Sequence, residues 1–253
     1  MMIMFDSLTV VLAFTIFFAS LVRTATGFGF ALIAVPILSF FLEPAKAVAI
    51  TMIFQTISAL PIALINITKK EWGYAIRLLL FSIIGLVPGI ILLIFITPLI
   101  VHALVALCVL CALFLVAKGV TFKSQLSLHH WLTVGFFAGF MHGLAGVSGP
   151  PILAMLHADK SLTKHAKRQI MAVFFLFVGG IALFPILTYM PEILFDGQLL
   201  SILFIAMVAG MYVGQKVFIY LSTSQFRLCT LILMSVSCVL VSAQLVKLIV
   251  NIL

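Results

Sequence analysis

Acidic side chains are nearly missing from this sequence: six Asp and Glu stand in 253 residues, against fourteen Lys and Arg. Charged residues make up 8% of the chain and hydrophobic ones 65%. Soluble domains carry roughly 25% charge, so a water-soluble enzyme or binding module is excluded. The chain reads as all-α, a polytopic helical membrane protein with the lipid bilayer as its main partner. No G-x-x-x-x-G-K-[ST] phosphate loop is present, so an ATP-driven pump would need its motor from another subunit. The N-terminal MMIMFDS lacks a basic stretch and carries Asp6, so no cleavable leader is expected. Cysteine is scarce as well, with four in all. Cys108 and Cys111 form a C-x-x-C inside HALVALCVLCALFLVA, a helix-packing setting rather than the accessible electropositive one that thiolate chemistry needs. The six histidines are scattered without metal-ligand spacing, and neither a metal nor a cofactor is expected. The formal charge of +8 does not point to nucleic acid, because the basic residues sit in short loops between apolar runs, as the positive-inside bias explains.

What is present is apolar length. A span needs about 20 apolar residues, and six runs supply it: roughly 44–67, 73–95, 98–117, 162–188, 198–221 and 224–250. Pro44 and Pro98 stand where a first helical turn tolerates a missing amide, and Ser222 with Gln225 fits a capping box. Two further apolar regions are interrupted. RTATGFG breaks residues 7–42, and GLAGVSGPP breaks 131–158, leaving arms of about 10 to 16 residues that suit broken or re-entrant helix pairs. If each pair enters and returns on one side, Lys69, Lys70, Lys118, Lys123, Lys160, Lys164, Lys167, Arg168 and Arg227 share a face. Asp6, Glu43, Lys46, Glu192, Asp196 and Lys247 then share the other. Continuous crossings would scatter these charges. The basic face is therefore expected to be cytoplasmic, with both termini opposite.

The interrupted regions also align with each other. FFASLVRTATGFGF (17–30) lies over FFAGFMHGLAGVSG (136–149) at an offset of 119, pairing Gly27 with Gly146 and Arg23 with His142. GLVPG (85–89) falls on GMYVG (210–214) further along. One membrane domain of two repeats, 1–122 and 123–253, follows. Each repeat has a hairpin and three crossings, an odd number of segments, so the second copy is inserted upside down. Inverted repeats with matched helix breaks are a transporter signature, and the breaks point to the binding site.

TGFGFALIAVP near the start and GFFAGFMHGLAGVSGPP opening the second half together resemble the TauE/SafE family. These are sulfite and organosulfur anion exporters of bacteria and plants. Phe28 and Phe30 stand where that family is often smaller. The resemblance covers nearly the whole chain and implies export of small anions such as sulfite and sulfonates across a bacterial inner membrane.

Among the residues, Arg23 is the sharpest candidate. An intramembrane arginine costs about 2.5–3.5 kcal/mol on insertion scales and normally has a partner. No core carboxylate supplies one, so either an anionic substrate does or the side chain snorkels to the headgroups. Thr24, Thr26 and Ser148 bring hydroxyls beside the breaks, where helices restarting at Phe28 or Gly149 would aim free amides at an anion. They equally serve by bonding their own helices. Gly27, Gly29, Gly146 and Gly149 allow close approach of a ligand or of another helix, and Pro150 with Pro151 enforces the second break. His142 either carries a proton beside the substrate or is buried neutral on a backbone carbonyl. Gln55, mid-span, is a further candidate. Arg77, Lys216, His157 and His165 fall near the expected cytoplasmic ends of spans, where they snorkel or face water.

Two rivals stand. A passive anion channel would share the architecture, and both proton coupling through His142 and electrogenic uniport fit a carrier. Gly146-Val147-Ser148-Gly149 also matches the G-x-S-G around the nucleophile of rhomboid-type intramembrane proteases. That chemistry requires a histidine from another helix within reach of the serine, whereas His142 lies six residues upstream on the same broken segment.

Overall fold

A computed structural model describes residues 7–63, 67–118, 127–157, 159–194 and 197–220, with isolated positions between 228 and 243. The described residues are helical apart from their connections. The elements are α1 (Ser7–Thr26), α2 (Phe30–Leu38), α3 (Pro44–Ala63), α4 (Lys69–Phe95) and α5 (Pro98–Ala117). Then come α6 (Leu128–Ala145), α7 (Gly149–Leu156), α8 (Lys164–Tyr189), a 3₁₀ turn at Pro191–Leu194 and α9 (Gly197–Tyr220). Five helices are long and apolar enough to cross a bilayer: α1, α3, α4, α8 and residues Gly197–Val217 of α9. The expected spans at 44–67, 73–95, 98–117, 162–188 and 198–221 each correspond to a helix. The run 224–250 and the Ser222–Gln225 cap lie outside the described residues.

One length needs correcting. The arms of the interrupted regions are not 10 to 16 residues each: α1 has 20 and α2 has 9, α6 has 18 and α7 has 8. Each is a long helix followed by a short one. At 1.5 Å per residue, α1 alone is about as long as the hydrocarbon core is thick. Arg23, Thr24 and Thr26 lower its apparent hydropathy without shortening it.

Local chemistry sets the helix ends. Proline opens α3 and α5 where its missing amide is no loss. Thr68 and Glu71 close a reciprocal capping box on α4, with the Thr68 amide donating to Glu71 at 2.7 Å. Thr163 caps α8 by accepting from the Ala166 amide at 3.1 Å.

The broken pairs fold back on themselves. Gly29 lies so near Val22 that an added Cβ would sit 3.4 Å from its Cγ1, although seven residues of continuous helix span about 10.5 Å. For the second pair, Tyr74 touches both ends. Its ring stands 5.2 Å from Trp131 at the start of α6, and its hydroxyl donates to Asp159, just past α7, at 2.6 Å. The region 131–158 therefore does not cross from face to face. Lys70 joins this corner, 3.5 Å from Asp159 and 2.6 Å from the Ser161 hydroxyl. The loops at 69–70 and 159–161 thus meet at one end of the bundle, as the charge pattern requires.

Backbone-to-backbone packing holds the long helices together. Lipid removes the hydrophobic drive between helices, so small residues at close contacts take its place. A Cβ on Gly85 would fall 1.9 Å from the Phe136 carbonyl, and one on Gly89 2.4 Å from that of Phe140. On the other side of the molecule, a Cβ added to Gly210 or Gly214 would run into the carbonyl of Phe17 or Leu21. So α4 runs along α6, and α9 along α1, while α3 packs on α8 between these pairs.

Candidate functional site

The two breaks are built from left-handed glycines. After α1, Gly27 and Gly29 have φ of 87° and 97°, and after α6, Gly146 has φ of 69°, a region that side chains with a Cβ rarely adopt. The Gly27 amide donates to the Arg23 carbonyl at 2.6 Å, and the Gly146 amide to that of His142 at 2.7 Å. Each break is thus tied to the carbonyl of the candidate residue before it. Thr26 closes the first turn: its hydroxyl donates to the Phe28 carbonyl and accepts from the Phe28 amide at 3.2 Å. The next helix starts at Phe30 rather than Phe28, because this turn uses Phe28 itself. In the second break Gln55 of α3 donates to the Gly146 carbonyl at 3.1 Å. A carbonyl freed from its helix is expensive to leave unpaired away from water, and Gln55 supplies the partner. Helix α7 begins at Gly149 as expected, with Pro150 and Pro151 in its first turn.

The breaks touch. A Cβ on Gly149 would sit 2.6 Å from that of Phe28, and one on Gly146 3.2 Å from that of Ala31. Methionines close both tips: Met171 of α8 lies against Gly27, and Met52 of α3 against Gly146.

Arg23 lies inside this junction. It is 1% exposed, which overturns the snorkelling alternative. None of its Nε, Nη1 and Nη2 atoms has a hydrogen-bond partner. Its guanidinium stands 4.8 Å over the ring of Phe175 on α8, a cation–π contact that offsets part of the charge but satisfies no N–H. The His142 ring lies 5.9 Å from the same phenylalanine. His142 is not on a backbone carbonyl: its Nδ1 is 3.1 Å from the Ser148 hydroxyl, and its Nε2 is buried without a partner. The separation of histidine and serine expected from their shared segment is thus corrected, since the break folds them together. Ser148 is fully buried. The Thr24 hydroxyl is buried and unpartnered, and its Cβ faces Gly214 of α9.

Three residues of this region were not singled out from the sequence. Phe175 is one of 24 phenylalanines, and nothing distinguishes it before folding. The Thr51 hydroxyl, one turn from Gln55, is fully buried and unpartnered. Arg168 reads as a loop charge beside Lys164 and Lys167, yet it is 7% exposed, with one Nη donating to Gln215 of α9 at 2.8 Å. Its position within α8, four residues after the first turn begins, was the available signal.

The described carboxylates are elsewhere. Glu71 is in its cap, Asp159 is in the Lys70 corner, and Glu43 pairs with Lys46 at 3.9 Å. The junction therefore holds a buried guanidinium with unpaired donors, a setting that an oxyanion complements. A separate pocket of about 360 Å³ between α5, α6 and α7 is lined by Leu107, Cys108, Cys111, Phe137, Met141 and Pro151 among others. Its lining carries no charged side chain, and both cysteines are free thiols.

The family model described as Sulfite exporter TauE/SafE matches residues 12–241, nearly the whole chain. No curated protein and no solved structure matches it.

Proposed function

Since the chain belongs to the TauE/SafE sulfite exporter family and is built as an integral membrane protein, we propose that it carries a small sulfur oxyanion, sulfite or a sulfonate, bound where its two helix breaks meet. One observation carries this reading: Arg23 is buried with three guanidinium nitrogens unpartnered. Each N–H left unpaired away from water is unfavourable by about 1–3 kcal/mol, more for a charged group. A sulfur oxyanion supplies both the missing acceptors and the missing charge. Thr24, Gln55, His142, Ser148 and the glycines of the breaks surround it.

The same reading takes the two halves as inverted repeats, 1–122 and 123–253. Supporting this, the paired contacts recur between aligned positions: Gly27 with Met171 answers Gly146 with Met52 at the offset of 119, and Gly85 with Phe136 answers Gly210 with Phe17, the glycines lying 125 apart. Alternating access then amounts to one half rocking against the other about the fixed junction. The loops carrying Lys70 and Lys160 lie on the cytoplasmic side of a bacterial inner membrane, and the termini lie opposite.

His142 is the protonatable group beside the anion. Arg23 of α1 is the charge that acts on it, while α7 brings Ser148, α8 brings Phe174 and Phe175, and α3 brings only neutral Gln55. Proton-coupled transport through His142 therefore makes flux pH-dependent, and His142→Gln flattens the profile. An unchanged profile in that variant leaves electrogenic uniport or a channel as the mechanism. Uptake of radiolabelled sulfite into proteoliposomes under an imposed voltage or pH gradient tests the function itself. Wild type gives saturable flux, and Arg23→Ala, inserted at normal levels, gives none; wild-type flux in Arg23→Ala overturns the proposal.

A further inference from the structure

We propose that the apolar pocket between α5, α6 and α7 is a lipid site that holds one acyl chain of a membrane lipid. The inference requires only that the helices stand in a bilayer, and it is independent of the anion. The pocket has a volume of about 360 Å³. An apolar cavity of about 150 Å³ already stays dry and accepts a molecule the size of benzene. Its rim is formed by Leu107 and Cys111 of α5 with Phe137 of α6, all exposed, and its floor by Met141, Pro151 and Ala154, all buried. Leu107 is the tenth of 20 residues in α5, and Phe137 the tenth of 18 in α6. Each therefore lies about 14 Å from the start of its helix, close to the middle of a hydrocarbon core about 30 Å thick. The mouth opens sideways among lipid tails, out of reach of headgroups.

The lining selects the occupant. Among its described residues the one hydroxyl is that of Thr133, which already donates to the His129 carbonyl at 2.8 Å. A buried water needs roughly two to four polar partners, so water is not held there. An empty pocket forfeits the dispersion contacts of every side chain on its walls. Lipid tails are as apolar as leucine, so a tail restores those contacts without a desolvation cost, and the bilayer supplies tails in excess. A second copy of the chain would have to insert a side chain from outside, whereas lipid is the medium that the rim faces already. The floor is also a wall of the second break. The Met141 carbonyl accepts from the Val147 amide at 3.2 Å, and Pro151 stands in the first turn of α7. A chain seated in the pocket packs directly against the residues that shape that break.

Photolabelling tests this. The full chain is placed in bilayers of a phosphatidylcholine that carries a diazirine at mid-chain, irradiated, and its adducts are mapped by mass spectrometry. Adducts are expected on Met141, Pro151 or Ala154, which a lipid outside the pocket does not reach, as well as on the exposed Ile84 and Phe184. Ala154→Phe fills the pocket and should remove the adducts on Met141 and Pro151 while keeping those on Ile84 and Phe184. Cys111→Phe, on the exposed rim, plugs the mouth with the same result, and it decides the matter if Ala154→Phe does not accumulate. Labelling of Ile84 and Phe184 with a bare floor overturns the inference, and so does floor labelling that neither substitution reduces. A rim that is itself protected from the probe, as a second copy seated on it would protect it, overturns it too. None of these readouts involves sulfite, so their failure leaves the Arg23 reading standing, and failure of that reading leaves this one.

Discussion

Arg23 and His142 occupy matched places before the two breaks, and the fold treats them differently. The arginine keeps its guanidinium nitrogens unpaired over an aromatic ring, while the histidine gives one nitrogen to Ser148 and keeps the other unpaired. The histidine–serine contact is the geometry a serine nucleophile needs, yet Ser148 has no exposed surface. A fluorophosphonate probe is therefore predicted to leave the intact protein unlabelled, and stoichiometric modification of Ser148 would revive the protease reading. Much of this was legible in advance: an arginine in an apolar run announces itself, and so does a Gln55 placed mid-span. Arg168 and Phe175 were not, because burial is decided by which helix lies opposite. A fourth cation in a run of loop cations, or one phenylalanine of many, carries no local mark of it.

At the scale of elements, glycine spacing does the work that large side chains do in a water-soluble core. Gly85→Ala and Gly210→Ala each force a Cβ into a facing carbonyl, at 1.9 and 2.1 Å. Each is predicted to destabilise the detergent-solubilised protein by about 1–3 kcal/mol. Gly73→Ala, which meets nothing within 4 Å, is the control and is expected to be neutral or stabilising by up to ~1 kcal/mol. Thermal unfolding of the three variants checks this. The hairpin ends are pinned by Asp159, whose carboxyl is held well below the usual carboxylate range by hydrogen bonds from Ser161 and Tyr74 and by the charge of Lys70. A depressed value of this kind contributes stability above the unfolded-state pKa, near 3.8, and loses it only as pH falls through the lower folded value. Asp159→Asn should accordingly lower the melting temperature equally at pH 5.5 and pH 8, and a pH-dependent difference in that window would contradict the assignment. The helix starts at Pro44 and Pro98 were readable because proline has a positional preference. The true lengths of α1 and α6 were not, since hydropathy cannot tell a polar residue that ends a span from one that the fold buries inside it.

At the scale of the molecule, the described residues form a bundle in which the segments at 69–70 and 159–161 meet at one end and the hairpin tips meet within it. With native cysteines replaced, single cysteines at Ser127 and Ser161 are predicted to react with an impermeant maleimide from the cytoplasmic side only. One at Glu192 should react only from the other side. Labelling of Ser127 and Ser161 from opposite faces would break the hairpin geometry on which the site depends. The family was legible from the two glycine-rich motifs, because backbone breaks demand particular residues at particular spacings. The anion itself was not, since on the proposed reading its recognition depends on donors brought together from α1, α3 and α6. Binding of radiolabelled sulfite to the purified protein tests that assembly most directly. Wild type should bind saturably, Arg23→Lys more weakly and Arg23→Ala not measurably, whereas equal binding by all three would show that the buried arginine is not the anion's partner.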